Sequence, residues 1–239
     1  MTRANDIAWR RFLIEAGVIV ASILLAFGID AWWEDRQTYH WQISQLTELR
    51  NEFVENQEQL SSIAENHDAI ASYVQAIAEK GNLQGVGEKV TLNGNELSAL
   101  ITWRTSDITT GSLDTLLASG RLSDIQNGDI RRALAAWPTR VSDAQEDESL
   151  ARDFIESIVV PGLLGDGVLT PAYRGRRYPG RQPQAGFDKQ THTVEVTTEL
   201  IELATIRSVH SSMAGGSIRS LELEARRVLE LLDAELGRR

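Results

Sequence analysis

The sequence contains no cysteine among its 239 residues, and it is also poor in methionine, with two, and in proline, with five. Without thiols the chain cannot form disulfides, thiolate zinc sites or iron–sulfur clusters, and it cannot use a thiol in catalysis. This absence leaves the compartment open, because many exported proteins have no disulfides. Basic residues are outnumbered, 24 against 34 acidic ones. The net charge of −10 argues against a nucleic-acid partner, since nucleic-acid binders usually carry a basic surface.

Motifs that indicate a particular reaction are also missing. Four histidines are present, but none lies in an H-E-x-x-H pattern and no two are four residues apart. The sequence has no G-x-S-x-G, S-x-x-K, P-loop or G-x-G-x-x-G motif. We therefore predict no catalytic residue, no cofactor and no metal site. An envelope enzyme without a familiar motif stays an alternative.

One long apolar stretch is present, at residues 12–29, and Glu15 is its single charged residue. As a helix its 18 residues would span about 27 Å, enough to cross the hydrocarbon core of a bilayer. Trp9 and Trp32 would lie about 35 Å apart along that helix, a spacing that suits the two interfaces of one membrane. Trp33 adds a second aromatic residue at the far end. The pattern predicts a membrane anchor over residues 12–33.

The charges beside this stretch predict its orientation. Arg10 and Arg11 precede it, whereas Glu34 and Asp35 follow it. By the positive-inside rule, residues 1–11 are cytoplasmic and residues 34–239 lie outside, in the periplasm of a Gram-negative cell. Two alternatives are a cleaved signal peptide and the core helix of a soluble protein. The helical pattern continues through residues 31–34 without a break, which favours a retained anchor.

Small residues within the stretch give a weak indication of helix association. Gly17 and Ala21 are spaced as in small-x-x-x-small pairs, which allow two membrane helices to approach closely. Glu15 lies one turn after Arg11, so the two side chains can form an i,i+4 pair near the cytoplasmic interface. A polar contact between Glu15 and a partner helix is the alternative.

After the anchor the apolar residues repeat with heptad spacing for more than five heptads, and no glycine or proline occurs until Gly81. This pattern predicts one long helix, continuous with the anchor, whose seam belongs either to a coiled coil between chains or to a bundle within one chain. Three polar residues interrupt the seam, and we expect neighbouring segments to supply polar contacts there. The seam residues are Tyr39, Gln42, Leu46, Leu49, Phe53, Asn56, Leu60, Ile63, His67, Ile70, Val74 and Ile77.

Further helices are predicted around residues 96–103, 113–119, 129–158 and 194–236. The short apolar segment 90–92 does not suffice to predict a strand. The acidic run 143–148 reads as a solvated face, and Gly215-Gly216 is expected to divide the last helix. The apolar face of the helix from Asp129 is expected to contain Ile130, Leu134, Trp137, Val141, Ala144, Leu150, Phe154, Ile155 and Ile158, with a kink at Pro138.

Residues 161–191 form the least regular region, with four of the five prolines. A plain surface loop is the simplest interpretation. The alternative is an anion-docking loop, because arginines interleaved with tyrosines can bind phosphate groups. Its candidate residues are Arg174, Arg176, Arg177 and Arg181.

Two parts of the chain are similar to a known group of proteins. Residues 26–36 and 46–52 resemble the membrane exit and the start of the long helix in an uncharacterised family of bacterial membrane-anchored proteins. Residues 112–122 and 130–134 are similar to that family's central Leu-x-x-Ser-Gly-x-Leu segment. Asp30 stands near the family's usual asparagine, and a second tryptophan is added. The family has no assigned activity, so the resemblance implies architecture and location only.

We therefore expect an all-α, single-pass protein of the inner membrane with an extracytoplasmic helical bundle. The leading function is a non-catalytic scaffold or accessory subunit of a membrane or envelope assembly. Its expected partners are the lipid bilayer and a protein partner or a second copy, bound through the anchor and the heptad seam. The alternative is a ligand-sensing bundle that signals through a partner.

Overall fold

The computed structural model describes residues 3–175 and 186–238, and it confirms the all-α class predicted from the sequence. Turns of 3-10 helix lie at Arg121–Asp124 and Phe187–Lys189, and a π-helical turn lies at Ile155–Val159. The other elements in these residues are α1 (Arg3–Gln84), β1 (Lys89–Asn93), α2 (Gly94–Ile101), α3 (Gly111–Ala118), α4 (Gly128–Phe154), α5 (Val160–Gly162), α6 (Leu169–Gly175), β2 (Thr191–Glu195) and α7 (Thr198–Arg238).

Helix α1 is a single element of 82 residues, about 123 Å long at 1.5 Å per residue. No proline occurs before Pro138, so every residue of α1 keeps the backbone N–H that a helix needs. The apolar stretch and the heptad segment therefore form one rod, which confirms the predicted continuity. The turn after α1 contains Gly85 and Gly87, both with positive φ, a conformation that glycine adopts at no steric cost.

Helices α1, α4 and α7 form a three-helix bundle. Helix α7 runs antiparallel to α1, because Arg50 pairs with Asp233 near one end and Asp68 pairs with Arg219 further along. The hydrogen bond from Arg219 lowers the pKa of the Asp68 carboxyl. Helix α4 is likewise antiparallel to α7, because Asn127 lies beside Glu235 and Asp147 beside Ser217. The heptad seam is thus covered from within the chain.

The bundle contains two separate hydrophobic cores. The proximal core, nearer the apolar stretch, is built on residues 46–64 of α1, and Phe53 packs on Trp137 there with ring centroids 4.7 Å apart. The distal core is built on residues 70–78 of α1 with α2, α6 and the start of α7. The apolar seam residues from Leu46 to Ile77 are buried in one or the other.

Two strands lie at the distal end, where the sequence predicted none. β1 and β2 pair antiparallel, with Val90 opposite Val194 and Leu92 opposite His192. Alternate residues of β1, Val90 and Leu92, are buried against the distal core together with Val194 of β2. Each strand is only five residues long, which is too short for its alternating pattern to predict a strand from the sequence. The strands form because the two segments pair with each other and bury one face.

Two other expectations were wrong. Helix α7 passes through Gly215-Gly216 without interruption and begins only at Thr198, after β2. The region 161–191 is more regular than expected in its described part, because α6 and the turn Phe187–Lys189 lie within it.

Pro171 occupies the first turn of α6, where a proline does not disturb helical hydrogen bonds. Helix α4 continues on both sides of Pro138.

Candidate functional site

One helix, α1, is long and apolar enough to cross a membrane within the described part of the chain. Its large apolar side chains from Val18 to Trp33 are between 49% and 67% exposed, so they pack against no other element described. Trp32 and Trp33 lie together with ring centroids 6.2 Å apart. A Cβ atom added to Gly17 would have no neighbour within 4 Å in the described part of the chain. Ala21, one helical turn further along, is exposed.

The other residues predicted for the anchor belong to the same helix. Glu15 is exposed on α1. The backbone of Trp9, Arg10 and Arg11 is helical and forms part of α1. The residues predicted to form an anchor therefore belong to one linear element.

The arginines predicted to bind anions are not brought together in the described structure. Arg174 lies in the last turn of α6 and is exposed. Arg176, Arg177 and Arg181 lie outside the described residues.

A buried polar layer separates the two cores, and sequence reasoning did not find it. It contains His67, Ser106, Glu148, Arg207 and Ser211, each at most 3% exposed. One oxygen of Glu148, Oε2, accepts hydrogen bonds from the backbone N–H and the hydroxyl of Ser106, at 3.0 and 2.9 Å. Its other oxygen lies 3.9 Å from Nε2 of His67. The hydroxyl of Ser211 donates to the backbone carbonyl of His67, so the layer joins α1, α4 and α7.

Arg207 is the largest charged side chain of the layer, and it is fully buried. Its Nη2 donates to the carbonyl oxygen of Thr102 at 2.6 Å, while Nε and Nη1 have no hydrogen-bond partner in the described part of the chain. Burial lowers the pKa of Arg207 to about 10. The side chain therefore stays a cation at neutral pH, in a place where cations are costly to bury.

The segment 102–110, which we call the strap, runs along the bundle between α2 and α3, and buried side chains of the long helices hold its backbone. Asn56 donates to the carbonyl of Thr109 at 2.7 Å and accepts from the N–H of Thr109 at 2.9 Å. Gln42 similarly donates to the carbonyl of Asp124 at 2.5 Å, beyond the strap. These bonds confirm, for Gln42 and Asn56, that neighbours supply polar contacts where polar residues interrupt the seam. At His67, the third interruption, neither ring nitrogen has a hydrogen-bond partner in the described part of the chain.

The acidic run 143–148 is the clearest correction to the sequence analysis. Glu148 is buried, not solvated, because the inner face of α4 continues from Ala144 to Glu148 to Ala151 at helical spacing. Conversely, Leu150 and Ile158, expected on the apolar face, are 50% and 49% exposed. The four-residue spacing from Ala144 was the signal that could have identified Glu148.

No group of three or more histidine, aspartate or glutamate side chains converges as a metal site among residues 3–175 and 186–238. Comparison with known protein families, curated proteins and solved structures finds no match to this chain.

Proposed function

We propose that the protein is a non-catalytic, single-pass protein of the inner membrane that acts as a scaffold or accessory subunit of a membrane or envelope assembly. Residues 12–33 anchor it, residues 1–11 are cytoplasmic, and the helical domain from residue 34 is extracytoplasmic. The resemblance to anchored bacterial proteins agrees with this location.

The observation that supports the anchor most directly is the continuity of α1. Its exposed apolar stretch passes without a break into a helical segment whose apolar seam residues are buried from Leu46 to Ile77. Such a band of exposed leucine, isoleucine, valine and tryptophan exceeds the patches that soluble monomers usually show, and a bilayer would cover it. Because no residue interrupts the helix, the anchor would fix the position of the bundle relative to the membrane.

The anchor is tested by fractionating cells that express the full chain with a C-terminal tag. We expect the chain to stay in the membrane pellet after carbonate extraction, and protease added to spheroplasts to remove the tagged domain. A matched variant that lacks residues 1–33 should leave the membrane fraction. A full chain released by carbonate, or a domain protected in intact spheroplasts, would contradict the proposed location.

The accessory role is tested by purification in mild detergent followed by native mass determination. Stoichiometric copurification of other membrane proteins is the expected result. If the chain purifies only with itself, as a monomer or as a dimer, the accessory role is wrong.

A second candidate, a ligand-sensing bundle that signals through a partner, is favoured by Arg207. Its buried guanidinium keeps two nitrogens, Nε and Nη1, without a hydrogen-bond partner among the described residues, and an anion that entered the bundle could accept from both. We would measure thermal unfolding of the full chain in detergent with phosphate or sulfate added at constant ionic strength. A sensor should be stabilised by one of these anions, and Arg207→Met should lose the shift whereas Arg219→Met keeps it. Equal melting in all salts would remove this candidate.

A further inference from the structure

An exposed apolar patch lies on the outside of the bundle where α4 meets α7. At its centre the rings of Phe154 and His210 stack, with centroids 4.6 Å apart and planes 23° from parallel. Large apolar side chains lie within four residues of Phe154 or His210, on α4, on the π-helical turn that follows it and on α7. They form the outer patch, which consists of Leu150, Ile158, Ile206, Val209 and Met213, each between 45% and 52% exposed.

The outer patch carries no charge at its centre. Burial and the nearby Arg207 cation lower the pKa of His210 below its ordinary value. The imidazole is therefore neutral at pH 7, so a partner that covers the stacked pair need not desolvate a cation.

The position of the outer patch along the bundle excludes the bilayer as its occupant. Ser211, one residue from His210, contacts His67 of α1. Helix α1 is continuous from Trp33 to His67, which places this level about 50 Å beyond the tryptophan end. Lipid headgroups at the end of the anchor do not reach that far, so the occupant of the patch would be a protein. This step rests on the anchor proposed above.

A second copy of the chain would present an apolar surface at the same height above the membrane as the outer patch. Two copies anchored in one membrane by the same helix hold their patches at the same height. A twofold axis along the membrane normal then brings each patch against its equivalent, which is the usual symmetry of a homodimer. A shared membrane also raises the effective concentration of one copy for the other.

We propose that the protein forms a parallel homodimer in the membrane through the outer patch on α4 and α7. The heptad seam is not the dimer contact, because it is buried within each copy.

The absence of cysteine makes the test direct. Single cysteines are introduced at the five positions of the outer patch in the full chain, and membranes are treated with a mild oxidant. Dimers cross-linked at two or more patch positions are expected, because residues near a twofold axis meet their own equivalents. Leu83→Cys is the control, since Leu83 is exposed on α1, which contributes no residue to the patch, and it should give few dimers. Equal cross-linking of patch and control positions would overturn the proposal.

A second variant separates failure of the dimer from failure of the anchor. Met213→Glu changes an exposed side chain, so the bundle should fold, and it should reduce the cross-linking of Val209→Cys at least fivefold. The same membranes are extracted with carbonate. Anchored chains that do not cross-link would overturn the dimer and leave the anchor intact, whereas chains lost from the membrane would overturn the anchor. Cross-links to a different protein instead of a second copy would also overturn the homodimer.

Discussion

At the scale of single residues, Glu148 and Arg207 show two ways in which this bundle accommodates a buried charge. The carboxylate of Glu148 receives a backbone N–H and a hydroxyl from the strap. The guanidinium of Arg207 has one carbonyl partner, on Thr102. A buried charge that is hydrogen-bonded stabilises a particular arrangement of its neighbours, since every other arrangement leaves it without partners.

Replacing Glu148 tests how strongly the strap depends on that carboxylate. Glu148→Ala leaves the N–H of Ser106 buried without an acceptor, and we expect a loss of about 3 kcal/mol in the free energy of unfolding. Glu148→Gln keeps a carbonyl oxygen of the same shape and should lose about 1 kcal/mol. Urea unfolding of the full chain in detergent measures both values. Equal losses would contradict the prediction, because they would show that the amide oxygen of glutamine does not replace the carboxylate as an acceptor for Ser106.

His210 predicts a dependence of stability on pH. Its pKa is lowered in the folded state, so below pH about 6.5 the unfolded chain takes up a proton before the folded one does. Stability is therefore unaffected by His210 above that pH and falls as the pH decreases below it. His210→Phe should keep the stacking on Phe154 and remove this contribution. The measurement is the shift of the unfolding midpoint between pH 7.5 and 5.0, and identical shifts in both proteins would contradict the prediction.

At the scale of elements, the adjacent glycines of α7 have different surroundings. A Cβ on Gly215 would lie 3.0 Å from the Cβ of His67, so this glycine allows α7 to approach α1 closely. A Cβ on Gly216 meets nothing within 4 Å in the described part of the chain. The helix continues through both because packing against α1 outweighs the low helix propensity of glycine.

These two glycines form a matched pair for substitution. Gly216→Ala should stabilise the protein by about 0.5–1 kcal/mol, since alanine loses less backbone entropy in a helix. Gly215→Ala gains the same entropy but forces α1 and α7 apart, and we expect a net loss of about 1 kcal/mol. Thermal unfolding followed by circular dichroism compares the variants. A stabilising Gly215→Ala would show that the two helices can separate at no cost.

At the scale of the whole molecule, α1 connects every level of the structure. It contains the exposed apolar stretch, supplies the seam of both cores and reaches the distal hairpin. Helix α7 runs antiparallel to it and α4 runs parallel to it, and together they complete the bundle without a hinge between bundle and stretch. In the proposed arrangement any movement of the anchor would therefore move the bundle with it.

A charge within the apolar stretch tests the proposed insertion of the whole protein. Leu24→Arg places a guanidinium near the middle of the stretch and should cost about 3 kcal/mol of insertion free energy. We expect a large part of the protein to become extractable by carbonate. Leu223→Arg, at an exposed leucine of α7, changes the charge equally and should stay in the membrane. If both variants remain in the pellet to the same extent, the stretch is not the anchor.

The sequence alone determined the features that follow from local periodicity. Eighteen nearly uncharged residues and a heptad repeat without proline predict the apolar stretch and the continuous helix, because helix formation depends on residues three and four apart. The burial of Gln42 and Asn56 among neighbouring polar groups also followed from their place in the seam.

Tertiary structure decided which segments meet. The strands β1 and β2 are about 100 residues apart in the sequence. Neither segment predicts a strand by itself, because each needs the other as its hydrogen-bonding partner. The hydrogen bonds that satisfy Glu148 come from Ser106 of the strap, and the close approach at Gly215 comes from His67 of α1, so both depend on segments far away in the sequence. Arg207 and the outer patch depend in the same way on the packing of α7 against α1 and α4. Such contacts depend on the free energy of the assembled bundle, which no local pattern in the sequence contains.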